Sequence, residues 1–199
     1  FNLVKHYLQI YLTEIDNINI EYNRDIITHF NDILKLTKKE DVNESVHILN
    51  FNYTSTARKY FNSNWIESER YNYEINDIHG RLNDEKNPMI FGYGDETGTI
   101  HHEIEDLNEN ELTRNIKSFH YLLSSNYQDL FDFIESGIFS VSIMGHSCGL
   151  SDRVLLSNIF QHKNLSEIKL HYHKVDERKM TFLKELKTYQ GILTAIRNT

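Results

Sequence analysis

The chain has one cysteine, one proline and eight glycines in 199 residues. The lone thiol, Cys148, excludes an internal disulfide and any zinc site built from several cysteines. That usage suits a reducing cytoplasm. No run approaches the ~18–20 consecutive apolar residues of a membrane helix, so a soluble chain with no membrane partner is expected. A basic-then-apolar leader is also missing, and the chain opens on Phe1, not methionine, as expected of a processed or excised chain. Basic residues are few: 21 Lys and Arg against 29 Asp and Glu give a net charge of −8. Phosphate affinity comes from Lys and Arg, so broad nucleic-acid binding is excluded. Two alanines against 22 isoleucines and 21 asparagines reflect A/T-rich codons and a low-GC bacterial genome.

What is present supports a folded domain. Hydrophobic residues make up 39% and aromatics 12%, enough to bury a core, and the length suits a single domain spanning 1–199. The acidity is uneven. Seven acids and no Lys or Arg fall between Asp95 and Leu112, read as a solvated loop or insertion. The most basic stretch, Lys163 to Lys187, has seven cations against four acids and reads as solvated surface.

Apolar residues at helical spacing (Leu3, Val4, Tyr7, Leu8, Tyr11, then Ile26, Ile27, Phe30, Ile33, Leu34) predict two helices split by Asp16–Asn19. Short apolar runs predict strands at Val46–Phe51, Ile75–Ile78, Met89–Phe91, Phe139–Met144 and Ile168–His173. Helices are expected from a Thr54 cap through Phe61, over Glu111–Ser136, over Asp152–Gln161 and over Glu177–Ile196. Strands alternating with helices predict an α/β fold with a mainly parallel sheet flanked by helices.

Five of the eight glycines (Gly80, Gly92, Gly94, Gly145, Gly149) lie just beyond predicted strands. In an open α/β sheet, ligands bind outside the carboxyl ends of the strands, where glycine lets backbone approach a ligand. The polar residues that end these strands, Asn52, His79, Tyr93, His146, Ser147 and Asp152, would then share one crevice; the alternative is ordinary turn chemistry. Gly145-His-Ser-Cys-Gly149 also fits the Gly-x-Ser-x-Gly turn of serine hydrolases. Such an enzyme needs an acid and then a histidine after the serine. His162, His171 and His173 all precede Asp176, and Asp152 sits five residues from Ser147, badly placed to orient a distant imidazole. The turn suits backbone amides and a hydroxyl aimed at an anion or sugar. His171-Tyr-His173, and His101-His102 with Glu105, lack a spacing specific to zinc, so no metal is expected. Cys148 would be a nucleophile only if a neighbour or helix dipole activated it.

Taken together, Phe51-Asn-Tyr-Thr54, Ile78-His-Gly80, Ile90-Phe-Gly-Tyr-Gly94 and Met144-Gly-His-Ser-x-x-x-Ser-Asp152 resemble the bacterial AbiH abortive-infection, phage-defence family in order and spacing. Members of that family usually open with a Gly-x-Gly-x-Asp strand–turn–helix, and no counterpart occurs here. The pattern is also distantly similar to the sirtuin-like, Rossmann-like NAD-binding fold. That resemblance implies NAD or another nucleotide as ligand, with Asn52 holding ribose or attacking water and His79 as general base. Tyr53, Thr54, Gly80, Gly92, Tyr93, Gly145, His146, Ser147 and Asp152 would line the cofactor site. Sirtuin-like proteins commonly place an acid where Thr54 stands.

The implied chemistry is physically economical. Cleaving NAD at its nicotinamide bond expels a neutral group from a cation, so no general acid is needed. A positioned water and a base near neutrality suffice, and histidine has an unperturbed pKa of about 6.5. Asp152 would supply negative potential or cap its helix. The competing expectation is a catalytically silent module that binds a phage component or partner and keeps the pocket as scaffold.

Overall fold

The computed structural model describes residues 2–19, 21–36, 45–63, 65–66, 72–92, 117 and 124–171. In chain order these form α1 (Asn2–Asp16), α2 (Arg24–Leu36), β1 (Ser45–Asn50), α3 (Thr56–Phe61), β2 (Asn72–Asp77), α4 (Ser125–Glu135), β3 (Phe139–Met144), α5 (Arg153–Phe160) and β4 (Leu165–His171). The result is a mixed helix and strand fold with two small parallel sheets, β1–β2 and β3–β4. The chain groups into two compact units: residues 1–91 with 123–130, and residues 92–122 with 131–199. Among the described residues, no helix is long and apolar enough to cross a membrane.

In the first unit, Asn23 caps α2 by accepting from the amides of Asp25 (2.8 Å) and Ile26 (3.4 Å). The helix then presents Ile26, Ile27, Phe30 and Leu34, spaced to share one face, to a core that holds Tyr60, Phe61 and Ile66. Val46 and Ile48 of β1 and Tyr73 and Ile75 of β2 close this core from the sheet. They can do so together because the parallel register sets Val46 against Tyr73 and Ile48 against Ile75. Phe30 meets Phe61 edge-on at 4.9 Å between ring centroids. Fully burying a side chain such as Phe61, 2% exposed, contributes about 1.5–3 kcal/mol.

The second unit pairs β3 with β4 in parallel, Val141 opposite Ile168 and Ile143 opposite Leu170. Helix α5 supplies Leu155, Leu156, Ile159 and Phe160 to its interior. A three-residue 3-10 turn, Leu150–Asp152, leads into α5.

Two expectations differ from the structure. Residues 89–91 form no strand. Met89 and Ile90 are buried, but among the described residues the ladder here is a single isolated bridge between Arg81 and Pro88, with one backbone bond from the Ile90 amide to the His79 carbonyl. Proline lacks the N–H needed to carry a ladder onward, and the return from residue 81 to 88 is too tight for a second strand. Thr54 does not cap α3 either. Ser55 occupies the cap position without a side-chain cap bond, and its hydroxyl and amide both donate to Asp16. Of the helices expected over 111–136, α4 and helical Lys117 are observed, and residues 111–116 and 118–123 lie outside the described residues. The acidic stretch 95–112, Tyr93, and the helix expected over 177–196 lie outside the described residues.

Gly80 is held at φ +74°, and a Cβ there would collide with the backbone carbonyl of Pro88. Gly80→Ala should therefore destabilise the protein by about 2–4 kcal/mol, measured by urea unfolding. An unchanged midpoint would contradict this packing.

Candidate functional site

Register places the polar ends of β1 and β2 side by side. Asn50 pairs with Asp77, and both side chains fall on the sheet face that carries Ile48 and Ile75. Asp77 is 3% exposed. Its Oδ1 accepts from Asn50 Nδ2 (2.7 Å), and its Oδ2 accepts from Arg58 Nε (3.1 Å) and Nη2 (2.5 Å). Arg81 Nε lies 3.6 Å from the same oxygen, and its Nη2 binds Asp84. One buried carboxylate thus orients two arginines, one from α3 and one from the loop after β2.

Asn50 also shapes the turn beyond its strand. Its Oδ1 accepts from the Asn52 amide and its Nδ2 donates to the Asn52 carbonyl, both at 3.1 Å. The Asn52 side chain is exposed. His79 is 4% exposed, with Nδ1 3.3 Å from the Phe51 carbonyl and its ring edge-on to Phe51. The Tyr53 ring lies 6.2 Å from it between centroids. The Tyr53 hydroxyl donates to the Ile90 carbonyl, and the Ile90 amide donates to the His79 carbonyl, each at 2.7 Å. Three of the four motifs singled out in the sequence are therefore tied together: the Asn52–Thr54 turn, the His79-Gly80 turn and the segment at Ile90.

Beside them opens a cleft of about 530 Å³. Arg58, Arg81 and Lys86 contribute cations to its wall, Asp16, Asp84 and Glu85 carboxylates, and Tyr53, Thr54 and Ser55 hydroxyls. Asn52, His79 and Gly80 are not among the lining residues. Burial works to raise the Asp16 pKa, but the Ser55 hydroxyl, Lys59 and the Ser55 amide outweigh it and hold the carboxyl below its ordinary range. The amides of Lys86 and Asn87, with help from Arg81, hold Asp84 low as well. Both carboxyls are therefore ionised at neutral pH, so the cleft is charge-rich but balanced.

In the second unit, Gly145 leaves β3 at φ +63°, as expected of a glycine at a strand end. Cys148, 3% exposed, also takes the left-handed conformation, at φ +52°. Its amide donates to His146 Nδ1 at 3.0 Å, which leaves the proton of a neutral imidazole on Nε2, 3.6 Å from Asp152 Oδ2. Ser147 is exposed. In a nucleophile elbow the strained residue is the serine, whereas here it is the cysteine that follows. Burial, with Asp152 adding to it, pushes the Cys148 thiol up, away from the reactive thiolate. Asp152 stands at the N-cap position of α5 but makes no capping bond with its side chain. Its carboxylate accepts instead from Lys117 Nζ (3.0 Å) and the Ser151 hydroxyl (3.1 Å). Lys117 and Asp152 are each 7% exposed, a buried ion pair. Of the remaining residues implied by the resemblance, Gly92 is half-buried and Tyr93 lies outside the described residues.

Sequence reasoning missed Asn50, Arg58, Asp77, Arg81 and Lys117. Asp77 does precede Ile78-His-Gly80 directly, and Asn50 lies two residues before Asn52. Nothing in the sequence links Lys117 to Asp152, 35 positions away.

Breaking a buried pair strands a charge. Lys117→Met should cost about 3–5 kcal/mol in urea melts, and adding Asp152→Asn should recover much of that loss. Strictly additive losses would mean the two do not interact. Cys148 should resist iodoacetamide in the native protein and react once unfolded, followed by mass spectrometry; rapid native labelling would contradict its buried, protonated state.

Neither the curated proteins nor the solved structures provide a match to this chain. One family does, over residues 2–173: that described as bacteriophage abortive infection AbiH. This stretch contains all four motifs and every described element. The chain belongs to the AbiH family.

Proposed function

We propose that this protein serves abortive infection, as its family implies, through a nucleotide-binding cleft in its first unit. The observation that carries this reading is the convergence of two strand-end motifs and the Ile90 segment beside a cleft of about 530 Å³, past the carboxyl ends of two parallel strands. A parallel pair of this kind is compatible with a Rossmann-like or sirtuin-like core. Arg81 and Lys86 would face the phosphates, while the hydroxyls of Thr54 and Ser55 would take the sugar. Arg58 is committed to Asp77 and would stiffen the wall.

NAD cleavage is the more specific form of this reading. Asn52 would hold the water or ribose and His79 would act as base. It is favoured by Tyr53, a cleft residue whose ring adjoins His79. The 4% exposure of His79 means that the ring must be uncovered before it can act. Gly80 belongs to this proposal as the residue that holds the turn beside His79. If no bond is cleaved, the protein is a silent module that senses a phage component.

Calorimetric titration with NAD, ADP-ribose and ATP tests the cleft. Binding should weaken about tenfold or more in Arg81→Gln and in Lys86→Ala, as expected for loss of a charge-assisted contact. Absence of binding by all three ligands, or equal affinity in both variants, would remove the nucleotide reading. Nicotinamide release that disappears in His79→Ala would establish the enzyme; binding without release would leave the sensing module.

A further inference from the structure

Helix α1 leaves most of its apolar side chains in water. An amphipathic helix normally buries its apolar stripe. Here the half-buried face is mixed, Leu8 and Leu12 sharing it with Lys5, Gln9, Thr13 and Asp16. Gln9 Nε2 donates to Asn83 Oδ1 (2.9 Å), Asn83 Nδ2 donates to Thr13 (3.2 Å), and Asp16 holds Ser55 and Lys59. No residue of α1 is buried. The outward face carries Leu3 (65% exposed), Val4, Tyr7 (63%), Ile10, Tyr11 and Ile15, and Ile18 (61%) extends it past the last turn. At 100° per residue these side chains fall within one stripe.

We infer that this stripe is a dimer interface, occupied by α1 of a second copy packed antiparallel about a two-fold axis between positions 10 and 11. Three observations support a second copy. Together the seven side chains expose on the order of 700 Å² of surface, near the ~800 Å² per partner of a standard interface and larger than most monomers leave uncovered. The stripe is largely self-complementary under such an axis: Leu3 meets Ile18, Ile10 meets Tyr11 and Tyr7 meets Glu14, while Val4 and Ile15 meet Asn17 and His6. Glu14 is the one charged side chain within the stripe. Antiparallel packing gives its carboxylate the tyrosine hydroxyl as donor, whereas parallel packing would set two carboxylates against each other.

Sedimentation velocity on the 1–199 chain over a wide concentration range tests this. A concentration-dependent dimer is expected, and Tyr7→Arg with Tyr11→Arg should raise its dissociation constant at least about tenfold. Both positions are exposed, so circular dichroism and the unfolding midpoint of the dilute monomer should not change. A monomer throughout, as when another segment or another protein covers the stripe, overturns the inference, as does a dimer that ignores the substitutions. Cross-linking then fixes direction. Under mild oxidation Tyr11→Cys, next to the axis, should form a disulfide dimer. Leu3→Cys should not, because its two copies would lie about 20 Å apart along the helices. The reverse pattern overturns the antiparallel arrangement, and the unsubstituted chain, whose only cysteine is buried, supplies the background.

Discussion

A negative charge taken out of water must be compensated on the spot, and in the first unit that charge is Asp77. Its two oxygens receive an amide from β1, a guanidinium from α3 and the approach of a second guanidinium from the loop after β2. Strand β1, helix α3 and the loop after β2 are thus fixed by one carboxylate at the end of a strand. The apolar core beneath, from Leu34 to Phe61, supplies most of the gain from burial but little direction. Direction comes from the polar cap. Asn50 sets the turn at Asn52, Arg58 seats α3, and Arg81 leads the chain into the bend stopped by Asp84.

This division explains what could be read from the sequence. The periodicity of Leu3 to Leu34 located α1 and α2, and short apolar runs located all four strands within a few residues. The segment at Met89–Phe91 looked equally apolar, but its hydrophobicity reports burial and says nothing of ladder pairing, which Pro88 prevents. The motif turns were visible as glycines and asparagines after strands. Their contacts were not, because the pairing of Asn50 with Asp77 depends on a register set across 27 positions. The same holds for Lys117 and Asp152. A charged residue in a helical segment reads as surface until the fold brings a buried carboxylate to it.

The second unit repeats the principle at smaller scale. Its Gly145–Asp152 loop is organised by short polar contacts, a backbone amide on His146 and an ammonium on Asp152, around a cysteine in a conformation that side chains seldom adopt. A compact loop of this kind keeps its shape without a long regular element, since its buried polar groups, the Asp152 carboxylate above all, have partners.

Asn83 and Asp16 each serve two neighbours. They join α1 to the loops beside it, and they also line the cleft. If the cleft takes a nucleotide and α1 a second copy, as proposed, the two events would be linked through these side chains, and each would alter the other by the same factor.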